Sequence, residues 1–312
     1  MKNSLWVHAA LFLVSLIYAA NYSISKDVMP RYIGPYGIVV LRIVGAAVVF
    51  ELLRRRFAGE AIVGRADNVR AILCGISGIG VNQLLFFGGL NLTTPINASL
   101  IQTIAPVVVL LASVVLLGDR ITLRRAGGIL LAGTGAALII LGRGSTPAAT
   151  GPDVTLGNIM ILLNATFFGV YLVLVMPLMR KYHAFTVLAR IFLVGAVIAV
   201  PFGWQQVQAA DYASFPPLIW VAIAYMVIML TIVAYLLNNW ALKYASPALL
   251  GAYIYLQPAL AVLIAVSLDK DTLTWGKALQ AALIFSGVFL VSRKPKEKTV
   301  IGEEVPLEPV QD

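Results

Sequence analysis

The sequence predicts an all-α polytopic membrane protein, with ten transmembrane helices forming two inverted-topology five-helix repeats and both termini cytoplasmic. Three observations carry that expectation. Of the 312 residues, 60% are hydrophobic and only 12% charged, whereas a soluble domain carries roughly 25% charged residues. Ten apolar runs follow one another along the chain, and a helix needs about 20 apolar residues to cross the hydrocarbon. Two long stretches also repeat each other in register. The apolar excess excludes a disordered chain, which lacks apolar mass.

In order, the runs are residues 5–25, 35–53, 69–91, 95–117 and 123–142, then 156–179, 184–204, 217–239, 247–268 and 274–292. The first follows Lys2 and contains Tyr18-Ala19-Ala20, a pattern like a signal-peptide cleavage site. Its length, and the polar Asn21 and Ser23 in step with it, read instead as an uncleaved span. With the N-terminus inside, sixteen of the 23 Lys and Arg residues fall in cytoplasmic segments. Five fall outside (Lys26, Arg31, Arg143, Lys270 and Lys277), and Arg42 and Arg190 lie within spans. That bias orients the chain. Trp204, Trp220 and Trp275 fall at outer span ends and Trp6 at an inner one, as interfacial anchors do. The chain divides into repeats at 1–145 and 146–294, followed by a charged, Pro-containing segment, 295–312, that reads as a disordered cytoplasmic tail.

The net charge of +9 follows from basic cytoplasmic loops. No basic run is interleaved with stacking aromatics, so no nucleic acid is expected as a partner. The single cysteine, Cys74, excludes an intrachain disulfide and a cysteine metal cluster, and its apolar run predicts a buried small hydrophobe. His8 and His183 are the only histidines, so no metal and no cofactor are expected. An intramembrane enzyme needs an activated nucleophile, base or metal, and the sequence offers no catalytic set.

The repeat is informative. Shifting residues 90–139 by 152 without a gap aligns Pro95 with Pro247, Pro106 with Pro258, Asp119 with Asp271, Thr122 with Thr274 and Gly135 with Gly287. Arg42 meets Arg190 at a shift of 148. Five spans per repeat is an odd number, so the second repeat enters the membrane upside down. Such folds place a substrate site near the midplane between the halves and serve alternating access. This points to a carrier rather than a receptor or scaffold.

The stretch Leu90-Asn91-Leu92-Thr93-Thr94-Pro95, then Thr103-Ile104-Ala105-Pro106 and Leu116-Leu117-Gly118-Asp119-Arg120-Ile121-Thr122, resembles the core signature of the EamA-type drug/metabolite transporters. The second copy runs Ala241-Leu242-Lys243-Tyr244-Ala245-Ser246-Pro247, Gln257-Pro258 and Asp271-Thr272-Leu273-Thr274. The resemblance covers residues 5–294. Gly118-Asp119 stands where the family has Gly-Glu, and Tyr18-Ala19 where it has a Trp-Gly pair. What the resemblance implies is a ten-helix inner-membrane exporter of amino acids, metabolites or drug-like compounds, with spans 1, 3, 4, 6, 8 and 9 lining the cavity.

Arg42 and Arg190 are the ionised residues deep within spans. A charge there must be paired, hydrated or functional, and a gating or structural role is expected of both. Pro106 and Pro258 interrupt the helix ladder and are candidate hinges or fixed kinks. Mid-span Asp and Glu are missing, Glu51 lying near a cytoplasmic end, which weakens carboxylate-based proton coupling. The candidate substrate site is therefore polar and aromatic. Tyr18 and Asn21 share one face of the first span with Ser25, and Asn164, Phe168 and Tyr171 share one in the sixth. Asn82, Gln83 and Phe86 cluster in the third span beside Phe87, and Tyr235, Asn238 and Asn239 in the eighth. Gln102 lies in the fourth; Tyr253 and Gln257 share a face of the ninth. An amide in hydrocarbon must face protein, water or ligand, and for each one an interhelical hydrogen bond is the simpler reading.

The expected function is export of small organic solutes, with the lipid bilayer and a small-molecule substrate as partners and the chain a monomer or homodimer. Gly75, Gly78 and Gly80, and the stripe Gly128, Ala132, Ala136 in the fifth span, are expected to let helices approach closely, and the homodimer reading is an alternative use of that stripe. Nucleotide-sugar or phosphorylated-metabolite exchange, and a membrane sensor or enzyme, are the alternatives.

Overall fold

The computed structural model describes residues 2–117, 121–141, 152–242 and 247–292, and among these the regular structure is entirely helical. Nine of the described helices are long and apolar enough to cross a membrane. In the first half these are α1 (Lys2–Val28), α2 (Pro35–Phe57), the continuous 65–92 helix, the 95–112 segment, and α7 (Leu123–Leu141). The second half has α8 (Pro152–Lys181), α9 (Ala184–Ala209), the 217–237 helix and α13 (Trp275–Ser292). At the ninth predicted run stands α12 (Pro247–Ser267), within which 255–267 is a shorter apolar helix. Asp119, Arg143 and residues 295–312 lie outside the described residues.

Local chemistry sets several boundaries. Helix α2 starts on Pro35 after extended Gly34 and closes with Arg54, Arg55 and Arg56 in its last turn; proline suits a first turn, and cations suit a helix C-terminus. The fourth predicted run is not one helix. It divides into α5 (Pro95–Gln102), capped by the Thr94 side chain, and α6 (Ala105–Leu117). Pro106 offers no N–H to the preceding turn, and the break at Thr103 and Ile104 is closed by tighter bonds to the Leu100 and Ile101 carbonyls. Its partner in the repeat, Pro258, lies inside uninterrupted α12.

The third and eighth spans share a second irregularity. The third runs α3 (Arg65–Cys74), a π-helical turn at Gly75–Gly80, then α4 (Val81–Leu92). The eighth runs α10 (Pro217–Ala224), a π-helical turn at Tyr225–Val233, then α11 (Ala234–Leu242). The second helix is one place where the halves differ in length. Helix α9 has 26 residues and α2 has 23, which accounts for most of the change in repeat shift from 148 to 152. Near the end of α9, Gln206 Oε1 accepts from the Tyr36 and Gly37 N–H groups at 2.9 Å, satisfying two of the three orphan donors of α2's first turn, Pro35 having none.

Small residues seat the helices. A Cβ on Gly128 would stand 2.6 Å from the Gly287 carbonyl, and one on Gly287 would stand 2.4 Å from the Ala132 nitrogen. The Gly128, Ala132, Ala136 stripe therefore packs on α13 of the same chain, and it does not offer the open face the homodimer reading requires. Gly78 lies against the Tyr171 ring. Cys74 is buried and free. Around the outside, large apolar side chains such as Val115, Leu123 and Trp275 are exposed, as lipid-facing residues are.

Candidate functional site

Arg42 is the centre of the polar interior, with 5% of its surface exposed. Its Nε donates to the Met226 carbonyl at 3.1 Å and to Thr231 Oγ1 at 3.2 Å. Nη2 donates to the same hydroxyl at 3.1 Å, and Nη1 to Gln83 Oε1 at 3.0 Å. The guanidinium carbon lies 4.7 Å from the centre of the Phe87 ring, a cation–π distance. Met226 and Thr231 both belong to the π-helical turn, where the hydrogen-bond ladder widens. Thr231 Oγ1 also donates to the Met226 carbonyl, at 2.9 Å. Arg42 thus ties α2, α4 and the eighth span together through uncharged acceptors.

Gln83 is the amide partner of Arg42. Its amide is held against a buried guanidinium, so it points into the bundle, yet the residue is only half-buried. Tyr18, Phe86, Tyr225 and Tyr235 are half-buried and packed on the core as well. Tyr225 donates to the Ile17 carbonyl at 2.5 Å; Phe86 packs edge-on to Tyr22 and Phe87, and Tyr235 edge-on to Phe50 and Phe192.

The remaining candidates divide. Asn82 and Asn164 face each other across α4 and α8, each side-chain NH₂ donating to the other's backbone carbonyl, at 3.1 and 2.8 Å. That reciprocal pair is an interhelical clasp, but Asn164 Oδ1 is buried without a partner. Asn21, 3% exposed, accepts from Ser25 Oγ at 2.9 Å along its own helix. Phe168 and Tyr171 pack on each other, with ring centres 5.9 Å apart. Tyr253 bonds His8 at 3.0 Å and accepts Ser15 Oγ at its carbonyl, joining α1 to α12. Gln257 is half-buried, and Gln102 Oε1 is buried without a partner. The side chains of Asn238 and Asn239 lie outside the described residues. Arg190 differs from Arg42: it is half-buried, and its Nε is buried without an acceptor.

Sequence reasoning missed Thr231, Thr93 and Asn158. Thr93 Oγ1 donates to Asn158 Oδ1 at 2.5 Å, and Asn158 Nδ2 to the Ile139 carbonyl at 3.2 Å. The signal for Asn158 was available: it is an amide in the sixth span, like Asn164. Lys277, counted from sequence as an outer loop cation, is instead buried in α13 and paired with Asp271 at 2.5 Å.

A bundle of long apolar helices around a polar centre defines a multi-pass membrane protein of the carrier type. The chain belongs to the EamA-like transporter family, whose profile matches it twice, over residues 5–141 and 155–293. Similar proteins include an uncharacterized transporter of Bacillus subtilis, 24% identical over 94% of this chain and 96% of that one. A protein of Streptantibioticus cattleyicolor named as a probable terminal-alkyne amino-acid exporter is 26% identical over 94% of this chain and 95% of its own. A solved crystal structure shares the fold, with a TM-score of 0.60 and 19% identity over 92% of this chain and 96% of that one.

Proposed function

We propose that the protein exports small organic solutes, such as amino acids, amino-acid-like metabolites or drug-like compounds, across the inner membrane. In this reading ten spans form two inverted five-helix repeats, with both termini cytoplasmic, and the halves exchange which side of the central hollow is open. The observation that carries it is the half-exposed Gln83 held on buried Arg42 amid Tyr18, Phe86, Tyr225 and Tyr235. Such a lining suits an amphipathic organic solute, and it lacks the carbonyl filter or charged ring of an ion channel. The amino-acid exporter named among its relatives supports the same class. In proteoliposomes, counterflow of radiolabelled amino acids should be at least fivefold slower for Gln83→Leu and Asn21→Ala, with gel-filtration profiles unchanged. Full flux in both variants would discard this hollow as the pathway.

A further inference from the structure

Building on that reading, we infer that the Arg42 guanidinium is the docking cation for a solute carboxylate, so that the carried solutes are organic acids or amino-acid zwitterions with an apolar body.

The first support is charge. Every acceptor of Arg42 is neutral, namely a carbonyl, a hydroxyl and an amide oxygen. None of the ion pairs among the described residues includes it. The nearest acid along its own helix, Glu51, is taken by Arg54 and Arg55 at 2.8 and 2.7 Å. A buried ion is ordinarily paired. Here the positive charge is complete and the protein supplies no counter-charge among the described residues.

The second support is the donor count. A guanidinium has five N–H groups. Nη1 gives one to Gln83 and Nη2 gives one to Thr231, and each of these nitrogens carries a second N–H with no acceptor among the described residues. Arginine meets a carboxylate best through two such N–H groups, in bidentate fashion. The solute would lie beside Gln83, which is itself only half-buried. Tyr18, Tyr225 and Tyr235, within electrostatic reach of the guanidinium, give an apolar body a surface to lie on.

A purely structural role does not account for the charge. A neutral amide at position 42, ending where Arg42 Nε lies, would serve the Met226 and Thr231 acceptors without placing an ion in the membrane; the reach to Gln83 is what the guanidinium adds. The same charge, with no carboxylate to oppose it, disfavours cationic amphiphiles.

The test uses the full-length chain in lipid nanodiscs and three matched pairs: phenylalanine and phenylalaninamide, leucine and leucinamide, benzoate and benzamide. Binding is read by calorimetry. In at least one pair the acid should bind at least tenfold more tightly than the amide. Arg42→Gln should abolish that preference and Arg42→Lys should keep part of it. If Arg42→Gln fails to fold, the wild-type acid-to-amide ratio and Arg42→Lys still decide. Equal binding of acid and amide, or a preference that survives Arg42→Gln, overturns the assignment and leaves the export reading standing. Silence from all six compounds also overturns it, and flux of neutral metabolites in proteoliposomes then judges the export reading separately.

Discussion

The two ends of the helix bundle are held shut by different physics. At the end carrying residues 26–34, 93–96 and 268–277, the contacts are buried and directed at backbone. Asp271 accepts from Lys277 Nζ at 2.5 Å, from Ile96 N in the other half at 3.2 Å, and from Thr272 N at 2.8 Å. Lys26 Nζ donates to the carbonyls of Leu90, Asn91 and Thr93 at 3.0–3.1 Å, placing a cation where a helix end is negative. Thr93 binds Asn158 across the halves, and the Asp27–Lys270 pair beside them is the more exposed contact at this end. At the opposite end the links are solvated. Lys181 pairs with Asp67 with 61% of its side chain exposed, Tyr182 bonds Val63 and Asp67, and Glu60 accepts from His183 N. Water replaces such partners readily. The buried end does not open without leaving ions and amides unsatisfied.

Substitutions sharpen this contrast. The largest expected effect is at Asp271. Asp271→Asn strands the Lys277 cation, side chain 5% exposed, and should cost about 3–5 kcal/mol of stability in detergent-solubilised protein. Lys277→Met added to it should recover much of that loss, because a missing pair is cheaper than half of one. Failure of the double variant to recover would show that Asp271 acts chiefly as the cap on α5. The intermediate effect is at Asn158. Asn158→Leu leaves the Thr93 hydroxyl and the Ile139 carbonyl unbonded and should cost about 1–3 kcal/mol by the same measurement. The smallest is at Lys181. Lys181→Ala should leave stability nearly unchanged, and any difference should shrink as salt is raised. A salt-independent loss at Lys181 would erase the distinction between the ends.

The sequence showed most plainly what composition and register encode. The apolar runs, the buried Cys74, the close-packed glycines and the anomaly of Arg42 were all legible, because each is a violation or a period visible along one chain. What stayed hidden depended on tertiary context. Pro106 and Pro258 are matched in sequence, but one follows a helix break and the other lies within a continuous helix. The partners of Arg42 were invisible because a π-helical turn has no composition of its own, so nothing marked the Met226 carbonyl as an acceptor. Lys277 was misplaced because counting cations by segment says which end of a span a residue occupies, and not whether it is folded inward. The candidate amides were found as a set. The clasp of Asn82 with Asn164 required knowing which helices touch.

The three-residue excess of α9 has a consequence for energetics. If the halves were true copies, swapping their conformations would give an isomer of equal free energy. Gln206, near the far end of the longer helix, plugs the first turn of α2, while the corresponding position at the start of α9 is served by its own His183 side chain. The two helix starts are therefore not equivalent, so the exchange of conformation between the halves proposed above would not join states of equal free energy, and a tenfold preference needs only about 1.4 kcal/mol.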